Sequence, residues 1–225
     1  MAIDDRYLTL ISSLPAHGVL FAENKTPLSR LALNQKLKQL EAKDQKMLVA
    51  IEAILQWDKL PLTETDQQLT QKTKQLLPEL PKDLQQLVLD KVDLRTVVGA
   101  MRYRQYSPDK ELTGQWSISR HRQQIENHWR EADFRLSRVY PWLSEAVELV
   151  GDNQIYKLEK LLLKSAWQLL NSHKDHQPFS FKSLVIYVLK WNIVERWARY
   201  NAEQARDRFQ LLVKQNKPDL SGVSV

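Results

Sequence analysis

The sequence contains no cysteine, which excludes disulfide bonds and thiolate metal sites and is typical of a reducing compartment. Only five glycines are present, too few for loops that cradle phosphates, and the motifs GxGxxG, GxSxG and HExxH do not occur. The chain lacks a run of 18 apolar residues, and its first residues do not resemble a secretory signal. We therefore expect a cytoplasmic protein without a transmembrane helix, a cofactor or an enzymatic activity.

Charge is distributed unevenly along the chain. The net charge is +6, and residues 1–93 hold 12 basic and 13 acidic side chains whereas residues 94–225 hold 21 and 14. An apolar content of 43% is ordinary for a chain that folds around a core. The basic second half indicates an acidic partner, which can be another protein, an anionic lipid surface or a nucleic acid, and a solvated surface is the simpler alternative.

Helix-forming residues dominate the segments between the few glycines and the nine prolines, so the sequence predicts an all-α fold. We expect an elongated multi-helix bundle with two helical subdomains. In the first, residues 1–93, Thr26 and Asp44 are predicted to cap the two helices of a hairpin. A connecting region with shorter helices near 64–77 and 82–90 follows the hairpin.

The second predicted subdomain, residues 94–225, is a helical bundle with a long final helix. Asp93 is predicted to cap its first helix. A longer helix is predicted from about residue 116 or 119 to about 139, with a break at Pro141 because proline lacks a backbone donor. Near the amino terminus, the segment RYLTLISS at 6–13 fits a short strand and a short helix equally well.

The stretch FSFKSLVIYVLKWNIVERWARYNAEQARDRFQLLV, residues 179–213, is too apolar in its first half for a surface helix. At 100° per residue, one apolar stripe follows its whole length and a second patch lies opposite in the first half only. We therefore expect the first half to be covered on two sides. In the second half the stripe narrows to alanines, which would allow close approach of another helix.

Arginines mark two segments, 119–138 and 196–206, as candidate partner-binding surfaces. The segment 119–138 combines arginines with histidines and Trp129, as a nucleic-acid interface would, although Glu126, Glu131 and Asp133 interrupt its positive field. A solvated amphipathic helix is the simpler interpretation, and nucleic-acid binding is kept as the alternative function. The candidate residues for partner binding are Arg120, Arg122, Arg130, Arg135, Arg138, Arg196, Arg199 and Arg206.

A metal-dependent enzyme is a third hypothesis. The segment HKDH at 173–176 could offer two nitrogens and a carboxylate, and His128 with Glu131 has the i, i+3 spacing of half a carboxylate-bridged site. Its candidate ligands are His121, His128, Glu131, His173 and His176. No third ligand has a defined place in the sequence, so the signal is weak and no metal site is predicted.

Both ends of the chain resemble a known family. The stretch PFSFKSLVIYVLKWNIVERWARYNAEQARDRFQLLV is similar to the closing helices of the C-type (also called d-type) rotor component of V-type and A-type ATPases. The opening RYLTLISSLP, with PLS and a D-x-x-x-L helix after it, looks like a shorter bacterial family encoded beside V-type ATPase operons. The C-type rotor component is longer and has three related helical units, whereas this chain has room for two.

The resemblance implies an α-helical, non-catalytic component of a rotary ATPase, or an accessory or assembly protein of one. Such a component would dock between the proteolipid ring and the central stalk. Its partners would be protein subunits of the ATPase, and its location would be peripheral at the cytoplasmic face of the membrane complex.

Overall fold

Nine α-helices follow one another along the described residues of a computed structural model, which are 5–56, 65–110, 112, 114–174 and 177–215. A short 3-10 helix, Leu77–Glu79, lies between α4 and α5. No strand occurs in these ranges, so the predicted all-α fold is confirmed, and residues 6–12 of the segment 6–13 are helical. The helices are α1 Asp5–Ser12, α2 Arg30–Leu37, α3 Ala42–Leu55, α4 Asp66–Leu76, α5 Lys82–Tyr106, α6 Arg122–Asn127, α7 Leu143–Gly151, α8 Ile155–Ser172 and α9 Phe181–Gln215.

Two apolar cores share two of the helices. The first core contains residues of the helices α1, α2, α3 and α4, of the first part of α5, of the second part of α8 and of the first half of α9. The second core joins the rest of α5 to α6, α7 and the start of α8. The predicted division after residue 93 falls inside α5, close to the place where this helix passes from one core to the other. The amino-terminal helices pack in one core with α9.

Three predicted helix caps are wrong. Asp44 caps no helix, because α3 begins at Ala42 after Glu41 and Asp44 lies within its first turn. Helix α2 begins three residues after the predicted Pro27 and is capped by Ser29, whose Oγ accepts from the backbone N–H of Ala32 at 3.2 Å. Asp93 caps no helix, because the predicted helices at 82–90 and 94–105 are one continuous helix, α5. Helix α4, by contrast, has a full capping box between Thr65 and Gln68.

The long helix predicted up to about residue 139 is also wrong, since only α6 forms in this segment. Phe134 and Arg135 have positive φ angles of 51° and 56°, which a right-handed helix does not allow. Side-chain to backbone hydrogen bonds fix this conformation: Gln124 Nε2 donates to the carbonyl of Arg135 at 2.9 Å, and Asp133 Oδ1 accepts from the N–H of Arg135 at 3.1 Å. They place Phe134, fully buried, in the second core.

The first half of α9 is covered on two sides, as the sequence predicts. Both the long stripe and the opposite patch are buried there, namely Leu184, Val188 and Trp191 on the one side and Ile186, Ile193 and Trp197 on the other. Helix α8 packs antiparallel to α9, with Tyr156 beside Tyr200 near its start and Asn171 bonded to Lys190 near its end. Among the described helices, none combines the length and the apolar character needed to cross a bilayer.

The segment 15–28, which we call the strap, runs along α9 between α1 and α2. The Tyr187 hydroxyl donates to the carbonyl of Pro15 at 2.8 Å, and Trp191 Nε1 donates to the carbonyl of Leu28 at 2.9 Å. Asn201 Nδ2 donates to the side chain of Asn24 at 3.0 Å. The strap therefore follows α9 over about four turns, using its backbone carbonyls as acceptors.

Candidate functional site

Two carboxylates of α5 hold the arginine that opens the basic segment. Asp93 is fully buried, and it accepts from the backbone N–H of Arg120 at 3.0 Å and from Nε of the same residue at 2.7 Å. Arg120 Nη2 also donates to Asp90, and Asp90 Oδ2 lies 2.8 Å from Nε2 of His173. We call Asp90 and Asp93 the α5 carboxylate pair; it fastens both the loop before α6 and the end of α8 to α5.

A cleft of about 580 Å³ opens beside the α5 carboxylate pair. Its walls include Tyr140, Trp142 and Leu169. Burial, followed by the charge of Asp93, raises the pKa of Tyr140, so its hydroxyl stays protonated at neutral pH. Arg120 donates to both Asp90 and Asp93, so the charged groups at this cleft join the loop before α6 to α5.

The candidate metal ligands lie in two places. His121 and His173 lie at the α5 carboxylate pair, 3.9 and 2.8 Å from its oxygens. His128 Nδ1 lies 3.1 Å from Glu131, on the segment after α6. His176 is outside the described residues. Within the part of the chain that the structure describes, no group of three His, Cys, Asp or Glu side chains could hold a metal ion.

The acidic residues of the segment 119–138 pair with its arginines. Arg122 Nε donates to Glu126 at 2.9 Å, and Arg135 Nε donates to Glu131 at 2.8 Å. These pairs lower the pKa of both glutamates, through the hydrogen bond from each arginine first, so both stay ionised and offset the positive field. The other two candidates of this segment after Arg120 are exposed, namely Arg130 and Arg138.

Arg196, a candidate for partner binding, forms an ion pair within the protein. Its Nε and Nη2 donate to the two carboxylate oxygens of Glu159 on α8, at 2.5 and 2.9 Å. The exposed fractions of the two side chains are 17% for Arg196 and 8% for Glu159. This bidentate ion pair joins α8 to α9 beside the cores, where a charge that loses its partner is costly.

A second interior ion pair joins α3 to the start of α2 and to α9. Arg30 donates to both oxygens of Glu52, at 2.8 and 2.9 Å, and Asn192 Nδ2 donates to Glu52 Oε1 at 2.9 Å. The guanidinium of Arg30 also lies over the ring of Trp191, 5.4 Å from its centroid. Hydrogen bonding to Glu52 raises the pKa of Arg30, so the charge persists in this partly buried place.

Lys91 of α5 is buried close to Arg196. Desolvation, followed by the charge of Arg196, lowers the pKa of Lys91 to about 8 from an ordinary value of 10.5. Below pH 8 the lysine is protonated in the folded and the unfolded chain, and the full cost of burying the ammonium is present. Between pH 8 and 10.5 the unfolded chain binds a proton that the folded chain lacks, so this cost falls as the pH rises, and it vanishes above 10.5.

Replacing this ammonium with an apolar group of similar length should stabilise the fold. We expect Lys91→Met to raise the free energy of unfolding by about 1–3 kcal/mol at pH 7, and the gain should disappear above the ordinary lysine pKa. Denaturant unfolding at pH 7 and at a pH above 10.5 measures both values. Lys43→Met, at an exposed position of α3, is the control. A gain that is the same at both pH values would contradict this account of Lys91.

The end of α9 presents the remaining candidates. Arg199 and Arg206 are exposed, and so are Ala202 and Ala205 of the predicted stripe. The stripe continues in the sequence to Phe209 and Leu212, whose side chains are outside the described part. This end of α9, residues 199–206, is the candidate docking interface: a run of helix with small side chains on one face and arginines beside it.

The sequence interpretation missed the interior charges Glu52, Asp93 and Glu159, although a signal for them exists. Each lies beside apolar residues that face a core, as Glu52 does between Ile51 and Ile54. A charged residue within a core-facing stripe requires a partner of opposite charge. The sequence alone does not identify that partner, because Glu52 and Arg30 are brought together by tertiary packing.

Comparison with known proteins gives one match. A family model described as protein of unknown function (DUF2764) matches residues 82–219, from the start of α5 through α9. Neither the curated proteins nor the solved structures contain a match to this chain.

Proposed function

We propose that this chain, which belongs to the family described as protein of unknown function (DUF2764), is a non-catalytic helical component of, or accessory to, a V-type or A-type rotary ATPase. It docks between the proteolipid ring and the central stalk, through the end of α9. The proposal rests on the resemblance of the closing helices to the C-type rotor component and, above all, on the way α9 extends past the helix against which it packs.

The observation that carries the proposal is the relation between α8 and α9. Tyr156, in the first turn of α8, stacks on Tyr200 of α9 with ring centroids 6.0 Å apart. Helix α9 continues to Gln215, so about 22 Å of helix extend beyond the start of α8. In the part of this extension with described side chains, Ala202, Ala205 and Arg206 are exposed. A helix of this kind is suited to pack against a helix of another protein.

Charge supports a partner with an acidic surface. The second half of the chain carries a net charge of +7, and exposed Arg199 and Arg206 lie on the end of α9. The Arg196 side chain is only 17% exposed and pairs with Glu159 within the protein. Opposite charge on a partner would speed association and fix orientation.

Affinity purification from native membranes tests the proposal. A tagged chain should recover central-stalk and proteolipid subunits of the rotary ATPase from detergent extracts. The double variant R199E/R206E should recover at least about tenfold less, because the reversed charges repel an acidic surface. The control K43E/K110E changes net charge equally at exposed positions far from α9 in sequence and should recover as much as the wild type.

Absence of ATPase subunits from the wild-type eluate would overturn the proposal. Equal recovery with R199E/R206E and wild type would move the docking interface away from the end of α9. Recovery of nucleic acid instead, released as salt rises, would favour the alternative function.

A further inference from the structure

Among the described side chains of α9, two that contact the strap donate to its carbonyls, and the indole of Trp197 has no acceptor. The Tyr187 hydroxyl and the Trp191 indole donate to strap carbonyls at 2.8 and 2.9 Å. Trp197, six residues after Trp191 on α9, is 3% exposed, and its Nε1 is buried without an acceptor among the described residues. Because a buried N–H without an acceptor is costly and rare, this indole indicates that something else supplies one.

A cavity of about 150 Å³ lies beside Trp197. The strap forms most of its wall, from Ala16 to Pro27, and Val194 and Trp197 of α9 complete it. A cavity of this size holds a molecule as large as benzene. Most of the side chains in the wall are apolar, including Val19, Leu20 and Phe21, so the cavity suits a compact apolar body.

The strap is held in an uncommon conformation at this cavity. Phe21 has a φ of 71°, in the left-handed region that non-glycine residues rarely adopt. Its ring meets the indole of Trp197 edge-on, with centroids 4.7 Å apart. Such backbone conformations persist where surrounding contacts fix them, and they occur often at ligand sites.

The charges around the cavity favour an anion. Lys25 and Glu23 belong to its wall and lie 3.9 Å apart. The ammonium of Lys160 lies 5.3 Å from the centroid of the Phe21 ring, so a second cation is close to the same wall. Two lysines against one glutamate leave a local excess of positive charge.

We propose that this cavity binds a small carboxylate with a compact apolar body. One carboxylate oxygen accepts from Trp197 Nε1, and the apolar body fills the space between the strap and α9. Lys25 in the wall and Lys160 beside Phe21 supply the favourable field. The cavity wall contains no residue of the docking interface at 199–206, and the function of the site does not depend on the proposed ATPase partner.

Titration of the isolated full-length chain, followed by the indole N–H resonances in ¹⁵N NMR spectra, tests the site. The resonance of Trp197 is identified by its loss in Trp197→Phe. It should move downfield and saturate with cyclopentanecarboxylate, and should not move with cyclopentylammonium at neutral pH, which has the same ring but, being protonated, has no hydrogen-bond acceptor. Trp197→Phe should bind the carboxylate at least about tenfold more weakly, whereas Trp142→Phe, at a tryptophan outside the cavity wall, should bind it like the wild type.

A Trp197 resonance that stays still up to tens of millimolar carboxylate, as expected if only water meets the indole, would overturn the proposal. Equal shifts with the amine, or unchanged affinity in a folded Trp197→Phe, would overturn it as well. Because no ATPase is present in this assay, its failure is distinguishable from failure of the docking proposal.

Discussion

Glu159→Ala is expected to lower the free energy of unfolding by about 3–5 kcal/mol, the range for breaking a buried ion pair from one side. Glu159 accepts both donors of Arg196, and the two side chains are 8% and 17% exposed. Loss of the Glu159 carboxylate removes the bidentate partner of Arg196, while the like charge of Lys91 stays close to Arg196. Urea unfolding followed by far-UV circular dichroism measures the change.

Two further variants separate the charge from the packing. The double variant E159L/R196M replaces the pair with apolar side chains and should recover most of the lost stability, because the Arg196 charge is removed together with that of Glu159. Glu148→Ala, at an exposed glutamate of α7, should change stability by no more than about 0.5 kcal/mol. A double variant as unstable as Glu159→Ala would contradict the role given to the uncompensated arginine.

Asp93→Ala is expected to lower the free energy of unfolding by about 2–3 kcal/mol. Asp93 is fully buried and accepts from both the backbone and the side chain of Arg120. The expected loss is smaller than for Glu159 because the Arg120 side chain is 51% exposed and can regain water. The same unfolding measurement applies.

This variant should also act locally. The amide of Arg120 loses its acceptor, so its hydrogen exchange should become faster by at least about tenfold. The other amides of the loop before α6 should exchange faster as well. Asp93→Asn keeps an oxygen as acceptor and should fall between the alanine variant and the wild type. Asp109→Ala, at an exposed loop position, is the control. Unchanged exchange at Arg120 in Asp93→Ala would show that Asp93 does not hold the loop.

The sequence predicts much of the fold because apolar periodicity reports which helix faces are buried. It predicts the helical class, the position of α9 between two layers and a helix in the region of α4. It fails between α6 and Pro141, where Gln124 and Asp133 bond to the backbone and break the helical pattern. It fails again at Asp93, where a residue typical of a helix cap serves a buried ion pair.

The candidate site is harder to predict from the sequence than the fold. Eight arginines are candidates in the sequence, yet the structure pairs the half-buried Arg196 with Glu159 and ties Arg120 to α5, while Arg199 and Arg206 are exposed. These differences come from contacts between residues that are 27 and 37 positions apart. The indole of Trp197, which has no acceptor among the described residues, depends on the path of the strap, which no local pattern encodes.

Site-specific photocrosslinking in native membranes tests the docking of α9 most directly. A photoreactive amino acid at Ala205, exposed on the end of α9, should crosslink to a central-stalk or proteolipid-ring subunit of the rotary ATPase, identified by mass spectrometry. The same amino acid at Val49, which is 65% exposed on α3, should not give that product. Crosslinks from Ala205 only to proteins outside the ATPase, or the same ATPase products from both positions, would contradict the account.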